Sequence, residues 1–594
     1  MATTINYPYD SHYLLRKKKA IRRDLLHQSE LLDKRIAILG GSTTAEVKDM
    51  LEIFLLQDGI RPVFYESEYN QYFEDLIFPN PSLNEFAPDI VYIHTTNLNI
   101  KRFPSFQESN AEIDELLSSE VSRFKLMWDS VATHFACPII QNNFELPYFR
   151  GLGNLDGYDI HGRARYVSEL NLRFAEHARG RSNLYLNDIN YLAAWFGLER
   201  WYDKHFWYSY KYAMNYEAIP ILADSVASII KAIYGKTKKC LVLDLDNTLW
   251  GGVIGDDGVN GIQIGKETPE AEAFSEFQQY CRMLKERGII LAVCSKNEER
   301  NAHEGFAHPD SILKLEDFSA FKANWEPKYQ NIRSIAQILN IGIDSLVFAD
   351  DNPVEREIVQ IQEPEVKVPV LGSDVAHYIN ILDKTGYFEP VSLSSDDVHR
   401  SSFYDDNKVR QKHQGAFLNY EDFLRSLEMK AEIKPFVPIY LDRITQLINK
   451  TNQFNLTTRR YTQSEVEEIA NKSNYITLYG RLRDKFGDNG LISIIVGEVI
   501  KSAIHIDLWL MSCRVLKRGM EDAMFQQLVS IAKSQKITTI YGYYYPTSKN
   551  KMVSGLLGQM GFNKKGDIDS SKTTWQFEIP KDYTIKKLLI EVTQ

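Results

Sequence analysis

Cysteine is scarce. The chain has five in 594 residues, Cys137, Cys240, Cys281, Cys294 and Cys513, with neither the spacing of a disulfide framework nor that of a metal cluster, a usage that suits a reducing compartment. Long apolar runs are also missing: none approaches the ~18 residues needed to cross a bilayer, and no signal-peptide pattern precedes the first domain. Nor is there an excess of base. Lys and Arg number 69 against 79 Asp and Glu, and the net charge of -10 argues against a general nucleic-acid binder. The expectation is a soluble cytoplasmic protein with no nucleic-acid partner and no transmembrane segment. Its length allows roughly three or four domains.

One stretch organises the rest, Lys239 to Gly252, KCLVLDLDNTLWGG. Cys240 to Leu245 is a short apolar run of the kind buried on both faces of a parallel sheet, and it delivers Asp244 and Asp246 to the sheet's carboxyl edge. Residues i and i+2 of an extended segment share a face, so both carboxylates can converge on one centre, one as phosphoryl acceptor and the other as general acid and base. Such a pair alone is equally a solvated strand end. Three further features change the reading: a strand from Ile289 ending in Cys294, Ser295 and Lys296; Lys328 at a helix start; and a strand from Ser345 ending in Asp350 and Asp351. The aspartates Asp244, Asp246, Asp350 and Asp351 offer an oxygen-only ligand set for a divalent cation, Mg2+, while Lys328 and Ser295 can neutralise and orient phosphoryl oxygens.

This ordered set resembles the haloacid dehalogenase (HAD) superfamily of phosphotransferases. More narrowly, LDLDNTLWGGVIGDDG, VCSKN, WEPK and FADDNPVERE resemble the FkbH-like family, as do TNQFNLTTRRY and DKFGDNGLI further on. The resemblance implies loading of a glyceryl-type unit from an acyl phosphate, such as 1,3-bisphosphoglycerate, onto the thiol of an acyl carrier protein, with dephosphorylation. Two rivals remain: a magnesium-dependent phosphatase whose flanking domains recruit substrate, and a nonenzymatic scaffold.

The fold class expected is multidomain α/β. Residues 1–30 carry a helix with a basic cluster at Arg16 to Lys19, Arg22 and Arg23, suited to docking or to a membrane surface. Residues 31–215 alternate strands and helices, the pattern of a flavodoxin-like parallel sheet. Ser42 after the first strand, Asn97 after the third, and His205 follow an order that resembles the SGNH-hydrolase fold, though Asp203 and His205 are one residue closer than that family has them. A degenerate, noncatalytic domain is the reading preferred. Residues 216–237 read as a helical linker, and 238–386 as a HAD-like, Rossmann-like domain. That domain's motif intervals leave no room for a cap, so its substrate can ride on a macromolecule. A hairpin-like flap at Val253 to Ile264 and a helix with Thr268 as N-cap and Pro269 at N1 fill the first interval.

Residues 387–428 read as a helical connector, and 429–594 alternate in an order that resembles the α+β GNAT acyltransferase fold. By that resemblance Arg514 and Gly519, with Cys513 beside them, would hold the phosphopantetheine arm of a carrier protein or, less well, of coenzyme A. Lys517 stands where the family pattern has a glycine. An acyl loader can pass its cargo through an enzyme thiolate. Cys294 is one candidate, being next to the phosphate site, and Cys513 the other; for Cys294 the competing reading is a small core residue.

Overall fold

The computed structural model describes residues 5–27, 31–393, 400–567, 572–584 and 587–593; residues 394–399 of the connector lie outside the described residues. Two compact units result, one made in the main of residues 9–236 and the other of 237–461 and 466–594.

The first unit is built on a parallel sheet of β1 (Leu32–Gly40), β2 (Ile60–Glu66), β3 (Ile90–His94), β4 (Ile139–Asn142) and β5 (Leu184–Asn187), in the order β2-β1-β3-β4-β5. Ala37, Leu39, Val91 and Ile93 pack with Phe124, Trp128 and Phe174 from the helices Asn110–His134 and Arg163–Arg179. The helix Ser11–Leu25 buries Leu14, Leu15, Ile21 and Leu25. Two residues of its basic cluster meet acids of the helix Ala45–Gln57: Lys18 meets Glu46 and Asp49, and Arg22 meets Glu52, while Arg16, Lys17 and Lys19 are exposed. The segment expected as a linker departs from its reading. Helix Ile219–Ile233 buries twelve of its fifteen residues and packs on Ala45–Gln57, as a helix apolar on every side must. It is part of the first unit's core.

The second unit contains two sheets. A parallel one takes β6 (Cys240–Leu243), β7 (Ile290–Ser295), β8 (Phe318–Ala323) and β9 (Leu346–Ala349) in the order β8-β7-β6-β9. Between β6 and β7 lies helix Pro269–Glu286, capped by Thr268, whose side chain accepts from the Ala271 N–H. The expected hairpin flap is instead a loop closed by one bridge, Gly251 to Gln263, around a single helical turn, Ile254–Asp257. Asp257 accepts from the Val253 N–H at 2.7 Å, so the flap folds on itself rather than pairing two strands.

The other sheet is mixed and runs β15-β16-β14-β13-β12-β11-β10-β17, with β10 (Lys430–Lys434), β11 (Tyr475–Asp484), β12 (Gly487–Ile500), β13 (Ala503–Met511), β14 (Thr539–Tyr544), β15 (Asn563–Asp567), β16 (Thr573–Glu578) and β17 (Glu591–Thr593). Its core, with Leu478, Ile495 and Trp509 against Met524 and Leu528 of helix Met520–Ser534, is the α+β arrangement expected of residues 429–594. β13 and β14 pair only from Ala503 to Ile506 and then part.

Candidate active site at the carboxyl edge of β6, β7 and β9

Asp244 follows β6 directly, and its N–H donates to the Ala349 carbonyl at 3.0 Å, which locks the exit of β6 to that of β9. Asp350 and Asp351 come next on β9. The carboxylates of Asp244, Asp350 and Asp351 offer oxygens that all lie within 4.8 Å of one another. Lys328, 3% exposed at the first turn of helix Lys328–Leu339, reaches Asp244 Oδ2 at 2.8 Å and Asp350 Oδ2 at 2.6 Å. Burial alone would lower the pKa of this ammonium, but the charges of Asp244 and Asp350 and their hydrogen bonds raise it, so it stays charged.

Three carboxylates against one ammonium leave two negative charges in excess. Burial and the Asp244 charge push Asp350 up to about 6 against the opposing pull of Lys328, and the same two causes raise Asp351. Asp244 Oδ1 is buried and has no hydrogen-bond partner. An orphaned carboxylate oxygen facing an uncompensated double negative charge is what a hard divalent cation and a phosphorus atom would satisfy.

Asp246 stands apart from this cluster, which corrects its place in the expected ligand set. Its Oδ1 accepts from Trp250 Nε1 at 2.9 Å and the Ile254 N–H at 3.1 Å, and its Oδ2 from Asn297 Nδ2 at 2.8 Å. Burial raises its pKa against these three bonds, which suits a carboxyl that must carry a proton. Ser295 ends β7, is 1% exposed, and accepts from Asn297 Nδ2 at 3.5 Å.

Asn297 and Thr248 stand in the motif stretches but have no role assigned from sequence. Thr248 Oγ1 lies 3.3 Å from Asp351 Oδ1 and accepts from the Asp351 N–H at 3.3 Å. Arg356 also escaped notice; its Nη1 donates to the Asp350 and Asp351 carbonyls at 2.7 and 2.6 Å, fixing the turn that carries both acids. Only their positions, Thr248 two residues beyond Asp246, Asn297 two beyond Ser295 and Arg356 five beyond Asp351, could have flagged them.

Cys294 does not fit the role of a thiolate. It points away from Ser295 on the alternating strand, into the cluster of Cys240, Val242, Ala292 and Ile332. Its Sγ donates to the Lys328 carbonyl at 3.6 Å, and complete burial pushes its pKa up despite the Lys328 charge. It is a core residue. Cys513 is half-buried, and its carbonyl accepts from Asn340 Nδ2. Asn340 follows the carboxyl end of helix Lys328–Leu339, so about 18 Å of helix separates that end from Lys328.

The pantetheine reading of Arg514, Gly519 and Cys513 finds no open strand gap beside them, because the chain itself runs there. Beyond Ile506 the gap between β13 and β14 is taken by Phe454 to Leu456. The Leu456 N–H donates to Trp509 O at 3.1 Å, the Met511 N–H to Phe454 O at 3.0 Å, and the Tyr545 N–H to Leu456 O at 2.9 Å. An amide-bearing arm would find both strand edges already paired. The guanidinium of Arg514 stacks on Phe403 at 4.3 Å and donates to Ser512 Oγ at 3.1 Å.

In the first unit Ser42 is 3% exposed, and its Oγ has no hydrogen-bond partner. The Asn97 N–H donates to buried Glu145 at 3.2 Å. His205 is exposed, and Asp203 caps the backbone of helix Lys204–Tyr210 rather than orienting an imidazole. That helix meets the Ser42 turn through its other end, where Tyr210 and Lys211 carbonyls accept from Thr43. Ser42 and His205 are therefore not hydrogen-bonded to each other.

The model of the FkbH N-terminal domain matches residues 35–231. The solved N-terminal part of protein BF1531 from Bacteroides fragilis, which contains a phosphatase domain complexed with Mg, is 32% identical with a TM-score of 0.59, covering 65% of this chain and 100% of that one. Far lower likeness extends to two acetyltransferases. One is the ribosomal-protein-S18-alanine N-acetyltransferase from Escherichia coli (9% identity, TM-score 0.21, 26% of this chain and 99% of that one). The other is PaiA N-acetyltransferase from Thermoplasma acidophilum in complex with coenzyme A (15% identity, TM-score 0.19, 25% and 99%). No curated protein sequence matches the chain. With its carboxylate, serine, lysine and carboxylate-pair motifs gathered at one sheet edge, the chain belongs to the FkbH-like family of proteins with a HAD-type phosphatase domain.

Proposed function

We propose that the chain is a magnesium-dependent phosphoryl-transfer enzyme that dephosphorylates a glyceryl-type acyl unit as that unit is loaded onto an acyl carrier protein. The observation that carries this reading is the unpartnered Asp244 Oδ1 beside Lys328 and the Asp350–Asp351 pair. Asp244 Oδ1 attacks phosphorus, and the ester oxygen leaves with a proton from Asp246. Water then attacks the aspartyl-phosphate, giving its proton back to Asp246 and releasing phosphate. Lys328 holds phosphoryl oxygens and Ser295 orients them. Magnesium, which Asp244, Asp350 and Asp351 would hold, supplies the charge that neutralises the phosphoryl group.

For the acyl step, burial of Cys294 favours direct transfer. The carrier thiolate attacks the acyl carbon of the acyl phosphate, a thioester forms, and the carboxyl-linked phosphate leaves. Family membership and the uncapped domain support a carrier-borne substrate, whose pantetheine arm would enter at the Asp244 edge. The first unit, in which Ser42 Oγ has no hydrogen-bond partner, is assigned a positioning role. The simpler reading, a phosphatase with recruiting domains, differs only in lacking the thioester.

The test is intact-protein mass of carrier and enzyme after incubation with 1,3-bisphosphoglycerate and magnesium. A glyceryl-sized gain on the carrier supports loading; phosphate release with the carrier unchanged leaves only the phosphatase.

A further inference from the structure

A single apolar side chain left in water is ordinary, but several gathered round one reaction site need a reason. The exits of the phosphatase-like sheet supply three. Trp325, two residues beyond β8, is 68% exposed; Val253, on the flap after β6, and Val354, in the first turn of helix Pro353–Gln362 after β9, are exposed as well. Each is tied to the site through its neighbours in the chain. The Ile254 N–H, next to Val253, donates to Asp246 Oδ1 at 3.1 Å. The Asn352 N–H, two residues before Val354, donates to Asp350 Oδ1 at 2.8 Å. The Asn324 N–H, next to Trp325, donates to the Ser295 carbonyl at 3.1 Å, and three residues after Trp325 comes Lys328, the counter-ion of Asp244.

Trp325 is also held in place. Its Nε1 donates to Glu298 Oε1 at 2.9 Å, and Glu298 belongs to the exit of β7, three residues after Ser295. That bond joins the exits of β7 and β8 and uses the indole's only donor, so what the ring still offers a ligand is its surface. An aromatic surface attracts methyl groups and planar amides through dispersion and buried area, and does little for a phosphate or a hydroxyl. A ring so exposed buries little area in the fold, so packing of this chain does not account for it.

We propose that Trp325 is a specificity-determining residue that receives the pantetheine arm of the carrier-borne substrate, with Val253 and Val354 completing an apolar rim round the Asp244 edge. The inference rests on the carrier-borne reading of the function and deepens it by naming what recognises the arm. The phosphorylated glyceryl end of such a substrate is polar and belongs with Lys328 and the aspartates. The arm that trails from it is a chain of amides and methylenes with geminal methyl groups, and an apolar rim with one fixed aromatic anchor suits that chemistry.

Steady-state phosphate release by the full chain with magnesium tests this on two probes that share one phosphate: 3-phosphoglycerate, which has no arm, and its thioester with pantetheine. Wild type should show the lower KM for the thioester. Trp325→Ala should raise that KM about tenfold or more with kcat little changed, and leave the KM for 3-phosphoglycerate within about twofold, while Trp325→Phe should keep most of the preference. Thermal unfolding checks that both variants fold. A folded Trp325→Ala that keeps the wild-type preference for the thioester would overturn the assignment of Trp325 and leave the carrier-borne reading standing. Equal KM values for the two probes in wild type would overturn the assignment together with the reading on which it rests.

Discussion

Lys328 Nζ lies 2.6 Å from Asp350 Oδ2, and both side chains are buried. With Asp244 the same ammonium forms a second bond at 2.8 Å, so one cation holds two carboxylates together. Lys328→Met removes it and leaves their repulsion unopposed. Urea unfolding without metal should show a loss of roughly 3–5 kcal/mol, the usual cost of breaking a buried pair. Added magnesium should recover part of it, and phosphate release should stay at least a hundredfold down. Unchanged stability without metal would mean that Lys328 is not the counter-ion of these acids.

Cys294 is core, not nucleophile. Cys294→Ala should leave phosphate release and carrier loading within about twofold of wild type and cost only about 1–2 kcal/mol, as small core truncations do. Mass spectrometry of the folded variant decides: loss of carrier loading with phosphate release intact would restore the thiolate relay.

Burial pushes Glu145 up to about 7, against an ordinary value of 4.5. Its folded pKa is the higher one, so the folded state binds more protons between those values. Stability contributed by protonated Glu145 is therefore present at acid pH and lost as pH rises from about 4.5 through 7. Glu145→Gln keeps a carbonyl oxygen for the Asn97 N–H but has no proton to lose. Compared with wild type, the variant should gain about 3 kcal/mol above pH 8 and little at pH 4. A difference between the two proteins that does not vary with pH would remove this account of Glu145.

Three of the four strands of the phosphatase-like sheet were legible because each is a short apolar run that ends in a chemically marked residue, Asp244 after β6, Ser295 at the end of β7 and Asp350 after β9, whereas β8 carries no such mark and was not read. Strand alternation also determines the face of Cys294, yet its neighbourhood to Ser295 and Lys296 drew attention to chemistry rather than to the core. The side-chain direction of Asp246 was not legible. It depends on Trp250 and Ile254 from a flap whose single turn has no periodic signal. Nor could local sequence show that Phe454 to Leu456 lies between β13 and β14, since that contact joins segments more than fifty residues apart.

Chelation is the next check. An oxygen-only cluster with two net negative charges should lose phosphate release to background on exhaustive treatment with a chelator and regain it with magnesium. Activity that survived chelation would require a different role for Asp350 and Asp351.

The most direct measurement is the rate of phosphate release by Asp244→Asn, read with magnesium on a phosphorylated acyl substrate and on a simple aryl phosphate. The substitution keeps the shape of the side chain and removes the attacking oxygen left without a partner beside Lys328. The account predicts a fall of roughly a thousandfold or more on both substrates, with folding intact. Release within tenfold of wild type on either substrate would contradict it.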